Sequence, residues 1–384
     1  MRDFTLHQPT RVLFGKGRIA NIAREVPADA RVLLVAGRGS IRTNGVLAEL
    51  EAALGARLVG QAWGVPPNPD VSNVAAVVEK IRAERADFLI AAGGGSVVDA
   101  TKAAAGLARS DGDAWSVLSK GARFNAALPI GAVMTAPGTG SEVNASATIS
   151  NRATSQKLVF TNPLCFPAFA VIDPEKTFTL SKTQSANGIV DAFVHVLEQY
   201  LTFPVGAVLT DRLAEAVLLT LLEEGPRALE LPTDYDARAN VAWAASVALG
   251  GLLAAGVPQD WTTHHLGHEL TALYGLDHAR SLAVVLPAVL RARRRQKAEK
   301  LLQYGARVFG VTADSEEERV EAAIARTEAL FTALGVPTRL AAYGLGGEIV
   351  APVIANLKAS RRLRLGEKLD VTLDDAAKLL ALAL

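Results

Sequence analysis

The pattern of apolar and polar positions divides the chain into two textures. Over the first 180 residues, short apolar runs end in glycine or proline and give way to helical stretches. Arg31-Val32-Leu33-Leu34-Val35-Ala36 leads to Gly37-Arg38-Gly39-Ser40, and Asp87-Phe88-Leu89-Ile90-Ala91-Ala92 leads to Gly93-Gly94-Gly95-Ser96. Ile130-Gly131-Ala132-Val133-Met134-Thr135 leads to Ala136-Pro137-Gly138. Near-continuous apolar strands that alternate with helices predict a parallel, Rossmann-like sheet covered on both faces. After Asp173-Pro174, Ala, Leu, Glu and Arg dominate, and apolar spacing predicts helices near 185–202, 208–223, 237–254, 260–273 and 316–334. The expected organisation is an α/β domain over 1–181 and an all-α domain over 182–384, with the boundary at Leu180-Ser181-Lys182. Ligands of open parallel sheets sit outside the carboxyl ends of the strands, so a cleft between the halves is the expected site.

Composition narrows the chemistry. A chain of 384 residues has length for two domains, and 50% hydrophobic residues supply ample core material. A net charge of +1 gives no reason to expect a nucleic-acid or anionic-membrane partner. The basic cluster Arg291, Arg293, Arg294, Arg295 and Lys297 reads as a solvated helix face. Cys165 is the sole cysteine, which excludes a disulfide framework and a cysteine-rich zinc site, so any metal is held by nitrogen and oxygen. The N-terminal residues lack the apolar core of a signal peptide, and no apolar run reaches the roughly 20 residues of a membrane span. A soluble, cytoplasmic protein is expected.

Five of the six histidines lie in the helical half, which concentrates ligand chemistry there. Asp191 and His195 are four apart on a helix predicted from Asn187 to Tyr200, which places them on one face. His264 and His268 repeat that spacing on a helix opening at Pro258-Gln259-Asp260, with Asp260 as its expected N-cap. His278 follows the Gly275-Leu276-Asp277 break and starts a further helix. A carboxylate with several imidazoles suits zinc, ferrous iron or another borderline divalent ion. Spacing leaves open which of His264, His265 and His268 is a ligand.

The glycine runs point to phosphate. Gly93-Gly94-Gly95-Ser96 follows a strand and opens a helix from Val97 to Leu107, so backbone amides and the helix N-terminus form a pyrophosphate cradle, with Asp99 and Lys102 on the first turns. Gly15-Lys16-Gly17-Arg18-Ile19-Ala20 matches the dinucleotide fingerprint in letters, but its strand is very short and the expected acidic residue is absent, so it reads as a turn. Gly37-Arg38-Gly39-Ser40 ends a strand where a carboxylate would bind a ribose 2′-hydroxyl; here Arg38, Ser40 and Arg42 favour a 2′-phosphate instead. Thr135-Ala136-Pro137-Gly138-Thr139-Gly140-Ser141-Glu142 is a third polar strand end suited to phosphate or a nicotinamide amide.

Jointly these motifs resemble the iron-containing (group III) alcohol dehydrogenase family. The resemblance covers essentially the whole chain. It is carried by Gly93-Gly94-Gly95-Ser96-Val97-Val98-Asp99-Ala100-Thr101-Lys102, Gly138-Thr139-Gly140-Ser141-Glu142, Asp191-Ala192-Phe193-Val194-His195, and His264-His265-Leu266-Gly267-His268-Glu269 followed by Gly275-Leu276-Asp277-His278. The N-terminal Thr10-Arg11-Val12-Leu13-Phe14-Gly15-Lys16-Gly17, the Pro67-Asn68-Pro69 turn and Gly256-Val257-Pro258-Gln259-Asp260-Trp261 look like its NADPH-dependent aldehyde reductase and butanol dehydrogenase branch. The resemblance implies a dehydroquinate synthase-like two-domain architecture. It implies Asp191, His195, His264 and His278 as ligands of one zinc or iron ion, His268 as a non-ligand in the active site, and a dispensable His265. Asn68, Gly94, Gly95, Ser96, Asp99, Thr135, Thr139, Asn144 and Lys157 would contact the cofactor. Gly37 stands where NAD-preferring relatives carry an aspartate, which implies NADP(H).

The implied reaction is hydride transfer from NADPH to a small aldehyde, the metal polarising the carbonyl and His268 relaying a proton through water. Short or medium aliphatic and aromatic aldehydes are the expected substrates, Trp261 is a candidate pocket residue, and a homodimer through the N-terminal strand is implied. Two other readings stay open: a dehydroquinate-synthase-like metal-dependent lyase, and a non-catalytic nucleotide-binding protein.

Overall fold

The computed structural model describes residues Met1–Leu384. Its strands are β1 (Arg11–Phe14), β2 (Val32–Ala36), β3 (Leu58–Ala62), β4 (Phe88–Gly94), β5 (Ile130–Ala136), β6 (Ser146–Asn151), β7 (Gln156–Thr161) and β8 (Phe169–Ile172). All but β6 and β7 form one parallel sheet in the order β1-β8-β5-β4-β2-β3. Every residue of β2 is buried, as an inner strand covered on both faces requires. Its side chains alternate: Leu33 and Val35 join a core with Val74, Ile81 and Val98, while Val32, Leu34 and Ala36 join one with Ile22, Ile41 and Leu50. Burying each such aliphatic side chain contributes about 1.5–3 kcal/mol.

From β2 the chain runs outward to β3 and then returns past β2 to β4. The strand order therefore reverses between β2 and β4, and their carboxyl ends flank the switch point where open sheets bind ligands. β6 and β7 form a separate antiparallel hairpin, which the hydrophobic pattern did not announce. Gly15 and Gly17 form a turn, with Gly17 in the left-handed region and its N–H donated to Asp173.

Two compact units divide the chain. The sheet unit comprises His7–Ser181 and Pro232–Ser246; the helical unit comprises Met1–Leu6, Lys182–Leu231 and Val247–Leu384. The helices of the second half are Lys182–Tyr200, Val208–Glu230, Tyr235–Leu249, Thr262–Tyr274, His278–Ala292, Ala298–Val308, Glu316–Ala333, Val350–Ala359 and Leu373–Leu382. The expected 237–254 helix stops at Leu249 because Gly251 turns left-handed, and Leu252–Ala254 is a separate 3-10 turn. No helix is long and apolar enough to cross a membrane.

Two local expectations are corrected. Asp260 is not the N-cap: Trp261, at φ 57, occupies that position, and Asp260 accepts the Thr262 N–H from one residue further back. The basic cluster is not one solvated face. Arg291 pairs with Glu321 and Glu328, Arg293 with Asp370, and Lys297 is only 2% exposed between Asp260 and Glu367. A buried ammonium needs such partners, because desolvation otherwise disfavours its charge.

Candidate metal centre and dinucleotide cradle

In the helical unit, three helices bring one carboxylate and four imidazoles together. Asp191 and His195 lie one turn apart on the Lys182–Tyr200 helix, His264 and His268 one turn apart on Thr262–Tyr274, and His278 is the first residue of His278–Ala292. Gly267 permits the last two helices to cross closely, since a Cβ there would lie 2.8 Å from Ser281 Oγ and 2.9 Å from Leu282 Cδ2. The Nε2 atoms of His195, His264 and His278 lie 3.6, 3.9 and 3.6 Å from Asp191 Oδ1. None is at hydrogen-bonding distance, and Oδ1 is buried without a hydrogen-bond partner.

A lone buried carboxylate oxygen facing three imidazole nitrogens is costly unless a cation sits among them. Ligands about 2.0–2.2 Å from a tetrahedral ion are spaced roughly 3.4 Å apart, close to these separations. The donor set therefore fits a divalent metal. Asp191, His195 and His264 have ligand atoms within 4.8 Å of one another, and all three are buried. His278 reaches the same Asp191 oxygen from the more open side, with its side chain 23% exposed.

Glu198 was not singled out from the sequence, although it lies one turn beyond His195 on the same helix. Its carboxylate accepts the backbone N–H groups of Thr263 at 2.7 Å and His264 at 3.2 Å, and it also bonds His264 Nδ1. One side chain thus caps the helix that carries His264 and turns the ring so that Nε2 faces Asp191. Burial raises the Glu198 carboxyl well above its ordinary value and Asp260 adds to the rise, while the Thr263 and His264 donors oppose it. Trp261 packs edge-on against His264 at 5.2 Å between ring centroids.

His268 is 3% exposed, and its ring lies 5.1 Å from that of His278 and 6.1 Å from that of His264. His265, in contrast, is driven down to about 3 by burial, with Arg362 and His264 adding to the effect, so it is a neutral imidazole.

In the sheet unit, the loops after β2, β4 and β5 meet at the switch point. Gly37 packs beside Val97, and Gly94 beside Ala136. A Cβ on Gly95 would lie 2.2 Å from Thr139 Oγ1, so the turn after β4 and the loop after β5 interlock only because residue 95 has no side chain. Ser96 Oγ accepts the Asn68 N–H at 3.3 Å, and buried Lys157 donates to Asn68 Oδ1 at 2.8 Å. Ser96, Asn68 and Lys157, far apart in the chain, therefore converge, and this polar cluster on a glycine-rich strand end fits a dinucleotide phosphate.

Thr135 is buried at the end of β5. Asp99 accepts from Ser141 Oγ at 2.6 Å and from the Thr148 N–H at 2.9 Å, while Asn144 spans Gly140 and Ser146. Lys102 donates to Ser141, Asn144 and the Ser146 carbonyl, and burial pushes it down to about 8. Asp99, Lys102 and Asn144 thus shape the loop after β5 from within. Arg38 and Ser40 are exposed on the loop after β2.

The sheet unit thus carries a glycine-rich strand end that fits a phosphate, and the helical unit an aspartate–histidine cluster that could hold a metal ion. The model of the iron-containing alcohol dehydrogenase family matches residues 9–174, and that of the Fe-containing alcohol dehydrogenase family C-terminal region matches 185–384. The chain belongs to the iron-containing alcohol dehydrogenase family. It is 50% identical over 377 residues, 97% of either chain, to the NADPH-dependent aldehyde reductase YqhD of Escherichia coli. It is 36% identical over 90% of either chain to the NADH-dependent butanol dehydrogenase A of Clostridium acetobutylicum. Among solved structures, E. coli YqhD superposes with a TM-score of 0.98 at 48% identity, covering 100% of this chain and 99% of that one. The NADH-dependent butanol dehydrogenase A of Thermotoga maritima gives 0.95 at 33% identity with the same coverage.

Proposed function

We propose that the protein is a cytoplasmic, homodimeric oxidoreductase that transfers hydride between NADP(H) and small aldehydes or primary alcohols, acting mainly as an aldehyde reductase. The observation that carries the metal-dependent part is the buried Asp191 Oδ1 facing three imidazole nitrogens. Identity of 50% to an enzyme named NADPH-dependent aldehyde reductase supports the substrate class and the cofactor. A lone buried cysteine suits a reducing compartment.

Asp191, His195, His264 and His278 would hold one zinc or iron ion, which when bound supplies a Lewis acid for the substrate oxygen. The reduced dinucleotide supplies the hydride. Glu198 bonds His264 Nδ1 and so leaves Nε2 facing Asp191, where it would be available to the ion. His268 is assigned to proton relay through water, and Trp261 to the wall beside His264. In the sheet unit, Gly94, Gly95, Ser96, Asn68 and Lys157 would seat the pyrophosphate, with Thr135 and Thr139 beside it, and Asp99 and Asn144 would support that loop. Gly37 leaves the end of β2 free of the negative charge that would repel a 2′-phosphate.

The test combines elemental analysis of protein purified without added ions with an aldehyde panel assayed using NADPH and NADH in parallel. One equivalent of metal and net NADPH consumption are expected. A lyase would show no net consumption, and a nucleotide-binding protein would show neither metal nor turnover. Gly37→Asp adds a negative charge at a position where a Cβ meets its neighbours at ordinary contact distances of 3.6 and 3.7 Å. It should lower the NADPH-to-NADH preference by about tenfold or more, since like charges in register are strongly unfavourable. In sedimentation, a mass of 40.3 kDa rather than twice that value would rule out the dimer.

A further inference from the structure

Arg42 lies flat over the indole of Trp63, its guanidinium carbon 3.9 Å from the ring centroid. This contact joins two segments distant in sequence, and backbone pairing explains how they meet. Beyond β3 the chain continues alongside the end of β2: the Gly64 N–H donates to the Gly37 carbonyl at 3.1 Å, and the Val65 N–H to Ala36 at 3.2 Å. Trp63 is thereby fixed beside the Gly37–Ser40 loop, with its own N–H held by Gln61 at 2.9 Å and its ring packed on the Leu34 core. Arg42 reaches it from the turn after that loop, where its N–H donates to the Gly39 carbonyl at 2.9 Å.

The stack leaves the edge of the guanidinium available. Arg42 is exposed and no carboxylate forms an ion pair with it. A guanidinium with one face covered by an aromatic ring keeps its fork of N–H donors in a fixed plane, suited to a bidentate phosphomonoester. Arg38 is exposed nearby with no ring to hold it.

We propose that Arg42, held in plane by Trp63, is the recognition group for the ribose 2′-phosphate of the dinucleotide, and that Trp63 is its positioning residue. The inference rests on the NADP(H) reading above and adds to it the residues that read the phosphate. Aspartate at Gly37 would oppose the phosphate; Arg42 attracts it.

The experiment is equilibrium binding of 2′,5′-ADP and of 5′-AMP to the full-length protein, which requires no turnover. The wild type should bind 2′,5′-ADP at least tenfold more tightly than 5′-AMP. Arg42→Ala should weaken 2′,5′-ADP about tenfold or more and leave 5′-AMP unchanged, as loss of a charge-assisted pair predicts. Arg42→Lys should recover only part of the loss, because an ammonium lacks the planar fork. Trp63→Leu should weaken 2′,5′-ADP about two- to fivefold, the worth of an exposed cation–π contact, while Trp63→Phe retains most of the affinity. Unchanged 2′,5′-ADP binding in Arg42→Ala, with wild-type preference intact, would overturn this assignment and leave the NADP(H) reading standing. No preference in the wild type would overturn both. Equal losses for both nucleotides in Arg42→Ala would mark a general structural role and also overturn it.

Discussion

The candidate phosphate cradle of the sheet unit and the candidate metal centre of the helical unit are built on opposite principles. The cradle is mostly backbone. Its central residues are contiguous, and its geometry depends on atoms that are absent: no Cβ at Gly95, no carboxylate at Gly37. The metal centre is entirely side chains, drawn from three helices between residues 191 and 278, and it depends on groups that must be present and aimed. One site should therefore fail when a methyl group is added and the other when a ligand or its support is removed.

The largest expected effect is at the metal centre. His264→Ala should lose the ion and about a thousandfold in aldehyde reduction, since Lewis-acid assistance amounts to several kcal/mol. Glu198→Ala, which keeps every ligand, should lower metal affinity by about 10–100-fold in chelator competition. Unaltered affinity in Glu198→Ala would mean that His264 needs no such support and that the side chains of this site act independently. Next in size is Gly95→Ala. The added carbon meets Thr139 at 2.2 Å, so a loss of about 1–3 kcal/mol in stability and weaker dinucleotide binding are expected, with metal content unchanged. Equal damage to metal content would break the contrast between the units.

The smallest effect concerns the buried Glu142, at the end of the same loop in the sheet unit, whose Oε1 accepts from Ser246 while Oε2 has no partner. Burial raises its carboxyl above the ordinary value of 4.5, against the opposing Ser246 bond and Lys102. A folded-state value above the unfolded one means that the folded chain binds more protons, so this group's contribution to stability is lost as pH rises from the unfolded value through the folded one. Glu142→Gln does not titrate. Its melting temperature relative to wild type should therefore rise between about pH 5 and about pH 8. A difference that is flat or falls with pH would show that Glu142 is an ordinary carboxylate in the folded chain.

Legibility followed the same division. The strands that hold the cradle were readable because inner parallel strands are apolar along their whole length, and Gly93-Gly94-Gly95-Ser96 stood in the right strand-to-helix context. The hairpin of β6 and β7 was not, since its polar residues follow no simple apolar pattern. Asp191 and His195 were placed on one face by spacing alone, but spacing left His264, His265 and His268 equivalent. The structure separates them: Glu198 and the turn at Trp261 direct His264 Nε2 at Asp191, while His265 is half-buried and feels the charge of Arg362. Asp260 shows why the cap was misplaced. Left-handed backbone at a tryptophan is rare, so nothing local announced that the helix begins one residue later.

By itself, then, the sequence determined the parallel sheet, the helical second half, the glycine-rich turn that opens a helix after β4, and which residues have the chemistry to bind a metal. These depend on local periodicity and on residue chemistry, which a linear chain displays. Only the tertiary structure decided which nitrogens face Asp191, that Glu198 fixes one of them, and that Trp63 holds Arg42 beside the end of β2. Those are contacts between segments tens of residues apart, set by helix crossing and strand pairing, and no local pattern encodes the direction in which a side chain finally points.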